Sequence, residues 1–274
     1  MDKFLADRIQ LTVDNYRLVK EELRNDGDII NHFASLIFSH YEREIPIYRV
    51  KEIRKNIKLN TTRISPFRGD TLNILSLLIA TVDKEEEEEL IQDIYDVMEL
   101  LEGEGFTSGS YLVLTAFTIS KYTKLKDKKE IINKIKELYI ILKEKYYDIT
   151  NEDDYLLCTL WVINNIHAET VDDFIENIFN HIADSHISSK NGVQALANSI
   201  ILNGSSGEMY RSMEFIQQLQ KRNIKIANQF LPLMGVLSNY NPRRNADIVE
   251  GVIEYLCDEE VEYEYYLDKG FRTI

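Results

Sequence analysis

Four times in this chain an apolar residue is followed at once by Ser or Thr, and a strongly apolar, helix-length segment begins within a few residues. The pairs are Ile64-Ser65, Phe106-Thr107, Ile149-Thr150 and Ile187-Ser188, and the hydroxyl residues stand 42, 43 and 38 positions apart. A weaker fifth copy, Ile226-Ala227, follows 39 later, with Asn228 as a substitute cap. A hydroxyl oxygen can accept a hydrogen bond from an orphan N–H of a helix's first turn, while the apolar residue before it packs back on the helix. Pro66, directly after Ser65, stands where proline is tolerated best.

Each copy introduces two helices of different character. The first is apolar on most faces, as in LNILSLLIATV, YLVLTAFTIS, YLLCTLWVIN, ALANSIIL and LPLMGVLSN. The second is amphipathic: in EEELIQDIYDVMELL the residues Leu90, Ile91, Ile94, Val97, Met98 and Leu101 share one stripe and the acids the other. A helix buried all round, alternating with one that is half wet, predicts stacked helical hairpins. The expected fold is therefore all-α: about five repeats of roughly 40 residues forming an α/α solenoid or a partly closed toroid. With few Pro and Gly residues and almost no period-two alternation, strands have little support.

Ahead of the array, helices are expected at Asp2 to Leu23, Asp28 to Tyr41 and Ile47 to Asn60, broken by Asn25-Asp26-Gly27 and by Pro46. The domain organisation read from this is an N-terminal helical segment, 1–61, packing on a repeat domain, 62–274.

Charge and cysteine count narrow the function classes. A formal net charge of -14 argues against a nucleic-acid partner, because neutralising phosphates needs clustered Lys and Arg. The two basic segments, YRVKEIRKNIK (Tyr48 to Lys58) and KYTKLKDKKEIINKIK (Lys121 to Lys136), carry their charges at helical spacing and read as solvated helix faces. Two cysteines, Cys158 and Cys257, build neither a disulfide framework nor a metal pair. With no signal-peptide core and no spanning segment, a cytoplasmic protein without a membrane partner is expected.

No complete catalytic or cofactor motif emerges, so no cofactor is expected and enzymatic activity is left open. The acidic run Lys84 to Leu90 reads as a solvated first turn. Asp172, Asp173 and Glu176 in DDFIE match the spacing of a diphosphate-magnesium motif, but the apolar stripe of that segment puts them on the wet side. The histidines (His32, His40, His167, His181 and His186) form no zinc spacing, and LNGSSGEMY lacks the lysine and strand of a phosphate loop.

The segments FRGD (Phe67 to Asp70), GFTSGSYL (Gly105 to Leu112), TNEDDYLL (from Thr150) and NGVQALANSIIL (Asn191 to Leu202), in this order, resemble a bacterial domain-of-unknown-function family, number 4003. The resemblance spans roughly Asn15 to Leu256. It implies an all-helical intracellular protein and brings no activity, substrate or catalytic residue. The family pattern also implies a histidine just before the TNEDD-like stretch, where Tyr146-Tyr147-Asp148 stands here.

Candidate sites come from the starts of the apolar helices. Stacking would gather Arg68, Asp70, Ser110, Asp153, Asp154, Gln194 and Gln229 along one rim, either as a row of caps or as a site. In the second case Arg68 would bind a carboxylate or phosphate and Asp154 would act as acceptor or base, with Asp70 and Gln194 as further ligand contacts. Within TNEDD, Thr150 fits the helix cap and Asp153 the acidic member of a capping box, which leaves Asp154 without a structural task. The leading function is a helical-repeat binding or scaffold module that holds a protein segment. The alternative is an enzyme or small-molecule binder whose site lies at the N-terminal ends of the inner helices.

Overall fold

The computed structural model describes residues 3–123, 127–148, 150–168, 171, 177, 190–203, 207–259 and 272–273. Twelve α-helices are found among them. The chain divides into two compact units, Asp2–Tyr139 with Asn151–Ile163, and Ile140–Thr150 with Asn164–Ile274.

The first unit opens with α1 (Lys3–Glu22), α2 (Asp28–His40) and α3 (Ile47–Asn60), within two residues of the expected bounds. Helix α1 packs along α2, with the Tyr16 and His32 rings stacked 4.3 Å apart. Buried Asn15 ties the two to the next turn: its Nδ2 donates to Ser39 Oγ (3.3 Å) and the Arg43 carbonyl (3.0 Å), and its Oδ1 accepts the Ile45 N–H (3.1 Å). An asparagine so enclosed is tolerated because its amide is satisfied on both sides.

Then come α4 (Asp70–Ile79), α5 (Glu87–Gly103), α6 (Ser110–Tyr122), α7 (Lys128–Lys145), of which the part up to Tyr139 belongs to this unit, and α8 (Asp154–Ile163). Helix α6 packs against both α4 and α8. At one end Lys121 Nζ of α6 meets Thr81 Oγ1 just past α4 (3.2 Å), and at the other the Thr107 N–H ahead of α6 meets Tyr155 Oη of α8 (3.4 Å). The three helices therefore run in the same direction, and α6 in the middle buries Leu112, Val113 and every residue from Thr115 to Ile119. Helices α3, α5 and α7 form a second row tied by ion pairs. Arg49 meets Glu87 at 2.7 Å, Lys128 pairs with Asp93, and Lys136 approaches Glu104 at 3.4 Å. In α5 the buried residues are the six of the expected stripe, Leu90, Ile91, Ile94, Val97, Met98 and Leu101.

The hydroxyl residues do not cap as the spacing suggested. Helix α4 starts behind Gly69 and α6 behind Gly109, in both cases without a side-chain cap bond. Ser65 Oγ instead accepts the Phe67 N–H at 3.3 Å, closing a local turn. Gly69, at φ 62°, then reverses the chain into α4 in a conformation that disfavours a side chain. Thr150, fully buried, donates from Oγ1 to the Leu142 carbonyl (3.3 Å), so it closes the end of α7. The Ile187-Ser188 pair and the DDFIE segment lie outside the described residues.

The second unit holds α9 (Lys190–Asn203), α10 (Gly207–Lys221), the short α11 (Leu231–Val236) and α12 (Pro242–Glu259). Helices α9 and α11 approach so closely at Gly235 that a Cβ there would lie 2.0 Å from Ser199 Oγ. Asn203 Nδ2 closes the end of α11, donating to the carbonyls of Gly235 (2.5 Å) and Val236 (3.0 Å). A two-residue parallel ladder, β1 (Ile224–Lys225) with β2 (Arg272–Thr273), is the extended pairing among the described residues. The fifth copy differs from expectation: a 3₁₀ turn at Asn228–Phe230 makes no side-chain cap bond, and the helix behind it has six residues. Among the described residues no helix is long and apolar enough to cross a membrane.

Candidate functional site

Where α2, α4 and α6 meet in the first unit, their side chains leave a groove of about 400 Å³. Phe33, Leu36 and Ile37 come from α2, Leu78 from α4, and Phe117 and Tyr122 from α6. Leu36 is 62% exposed and Tyr122 59%, so large apolar surface faces water here although burial would be favourable. Above the groove stands Lys121, whose Nζ lies 5.5 to 5.8 Å from the ring centres of Tyr41, Phe117 and Tyr122. The negative ring faces hold the ammonium at about 0.5–1 kcal/mol each. Among the described residues its ammonium donates to Thr81 Oγ1 and pairs with no carboxylate. An ammonium has three donors, so Lys121 keeps capacity for an incoming anion. The sequence presents Lys121 as the start of a solvated basic face; two of the rings around it, Phe117 and Tyr122, come from its own helix and the third, Tyr41, from the end of α2.

Asp154 opens α8 and is buried. Its Oδ2 accepts the Asn151 N–H at 3.1 Å, three residues back, which is the return bond of a capping box. The structural task assigned to Asp153 therefore belongs to Asp154, because the helix starts one residue later once Thr150 has closed α7. Around it lie three aromatic rings in edge-to-face contact, Phe106 on Tyr155 at 5.0 Å and Tyr139 on Tyr155 at 4.7 Å. Burial pushes the Tyr139 phenol far up, and the Tyr155 phenol, Glu152 and Asp154 add to the shift because a phenolate there would face other acidic groups. One turn on, burial pushes the Cys158 thiol well up, with Asp154 as the second cause. Tyr139 and Cys158 thus hold their protons at neutral pH.

Arg68 has found carbonyls. Its Nε donates to Thr62 O (2.9 Å) and its Nη2 to Lys58 O (2.7 Å) and Thr61 O, so the guanidinium closes the C-terminal end of α3. Its charge is also felt by Tyr95, whose phenol is pushed up by burial and drawn down by Arg68. Asp70 is exposed at the first position of α4, and Ser110 is exposed at the first of α6. Gln194 belongs to the second unit, where it is buried in α9 and its Nε2 makes no hydrogen bond among the described residues. The side chain of Gln229 lies outside the described residues. Within the first unit, then, Arg68, Asp70, Ser110 and Asp154 sit at the starts of parallel helices, with Arg68 and Asp154 engaged by backbone. Among the described residues no group of three His, Cys, Asp or Glu is placed to hold a metal ion.

The family described as "Protein of unknown function (DUF4003)" matches residues 15–274. The chain belongs to that family. Among curated proteins and among solved structures nothing matches. Membership in DUF4003 brings no activity with it, so the chemistry of this DUF4003 protein has to be read from its own side chains.

Proposed function

We propose that this protein is a cytoplasmic binding module built of stacked helical hairpins, and that it holds a protein segment in the groove between α2 and α6. The segment presents large apolar side chains to Phe33, Leu36 and Tyr122 and a carboxylate to Lys121. The observation that carries this reading is the pairing of exposed Leu36 and Tyr122 with an ammonium that has no carboxylate of its own among the described residues. A helix laid into an apolar groove is read by anchors at three- and four-residue spacing, which suits a floor made of helix faces. The hairpin array from residue 62 onward, on which an N-terminal segment of 1–61 packs, belongs to the same proposal. It is supported by the alternation of fully buried and half-buried helices in the first unit.

The test places a photo-crosslinking amino acid at Leu36, and separately at exposed Glu88, in the full chain expressed in cells. Crosslinked peptides are then identified by mass spectrometry. The reading requires that position 36, and not position 88, captures peptides of one protein that contain apolar anchors beside an acid, and that Lys121→Gln lowers the yield. Equal capture at both positions sinks it.

A further inference from the structure

A second site lies in the same unit and is independent of the groove. The turn after α1 and the outer face of α3 enclose a cleft of about 660 Å³, within the size range of small-molecule sites. We propose that this cleft binds a small molecule carrying a phosphoryl group.

The charges carry the argument. In a chain of net charge -14, five cations line the cleft, Arg24, Lys51, Arg54, Lys55 and Lys58, against three carboxylates, Glu21, Glu22 and Asp26. Two of those carboxylates are engaged. Arg54 forks onto Asp26 through Nη1 (2.9 Å) and Nη2 (2.6 Å), with Nε on Ser76 Oγ (2.9 Å), and Lys51 meets Glu22 at 2.7 Å. Arg24, Lys55 and Lys58 make no ion pair among the described residues. Lys51, Lys55 and Lys58 fall at four- and three-residue spacing on the side of α3 opposite the buried Val50, Ile53 and Ile57, so their ammonium groups share one wall.

Three uncommitted cations beside the amides of Asn25 and Asn73 are more than one carboxylate needs. They suit a group with nearly two negative charges and three acceptor oxygens, which is a phosphate monoester. Leu23 and exposed Leu59 offer an apolar wall for the rest of the molecule. A nucleic-acid backbone needs a track of cations longer than one cleft, and the acidic remainder of the chain repels it.

Titration calorimetry of the full chain with sodium pyrophosphate and with adenosine monophosphate, at low and raised salt, tests the assignment. Both probes should bind, more weakly at raised salt. Lys55→Gln with Lys58→Gln should weaken both about tenfold or more, equivalent to about 1.4 kcal/mol. The matched double change Lys129→Gln with Lys134→Gln, also at exposed positions, should leave the affinity unchanged. Circular dichroism melts of both double variants establish that they fold. No binding of either probe to the unaltered chain, or equal losses in the two variants, overturns the proposal. So does affinity for single-stranded DNA that grows with its length beyond that for the mononucleotide.

Discussion

The Asp154 carboxylate accepts the backbone N–H of Asn151 at 3.1 Å while the Asp154 N–H donates to the Asn151 carbonyl at 3.1 Å, so the turn ahead of α8 is closed from both sides. Four residues earlier along the chain the Thr150 hydroxyl donates to the Leu142 carbonyl and ends α7, so one helix is closed and the next opened within five residues.

Asp154→Ala removes that acceptor, so the Asn151 N–H loses its bond to the carboxylate. The expected cost is about 1 kcal/mol, read as a fall of roughly 2–4 °C in the melting midpoint. Asp154→Asn keeps an oxygen for the bond and should recover most of the loss. Asp153→Ala, at an exposed position, should stay within about 0.5 kcal/mol. Thermal melts of the three variants decide it, and a larger loss at Asp153 than at Asp154 reverses the assignment.

Tyr139 gives the fold a signature in strong base. Its phenol is raised above the ordinary value of 10.0 in the folded chain, first by burial and then by Tyr155, Glu152 and Asp154. The stability this contributes is complete below pH 10, because both states then hold the proton. It is lost as the pH climbs from 10 toward the folded value, because the unfolded chain releases its proton first. In a phenolate absorbance titration, the difference between the native chain and Tyr139→Phe should show no ionisation near pH 10. An ordinary inflection there would contradict the raised phenol.

The two cysteines should differ sharply in reactivity. Cys158 is fully buried and its thiol is held protonated, whereas Cys257 is half-buried. Because the thiolate is the nucleophile, iodoacetamide at neutral pH should label Cys257 in the native chain and reach Cys158 only in denaturant. Peptide mass spectrometry at successive times measures the order.

Gly235→Ala should destabilise the second unit by about 1–3 kcal/mol, since its methyl group would press on Ser199 Oγ and on the Ile200 backbone nitrogen at 3.0 Å. Ser199→Ala combined with it removes the nearest atom and should restore part of the loss. Denaturation followed by hydrogen exchange in α9 distinguishes this from a distant effect.

The all-helical class and the faces of α5 were legible in the sequence because periodicity is local. Leu90 and Leu101 share a stripe whatever surrounds them, and burying that stripe is what any partner layer would do. The bounds of α2 and α3 were legible for the same reason, since Gly27 and Pro46 limit the backbone without reference to the rest of the chain. Membership in DUF4003 followed from segments that stand in order along the chain.

Tertiary structure decided which polar groups are spent. Arg68 reads as a free cation until the end of α3 is brought beneath it and takes its donors, and Ser65 reads as a cap until the Gly69 turn sets the start of α4. Lys121 reads as one more solvated lysine until Tyr41, 80 positions earlier in the chain, closes over it with Phe117 and Tyr122. Local pattern determines which residues leave water. Which donor meets which acceptor depends on packing between distant segments, because a hydrogen bond or an ion pair is made only at contact distance and no spacing along one helix records what lies across from it.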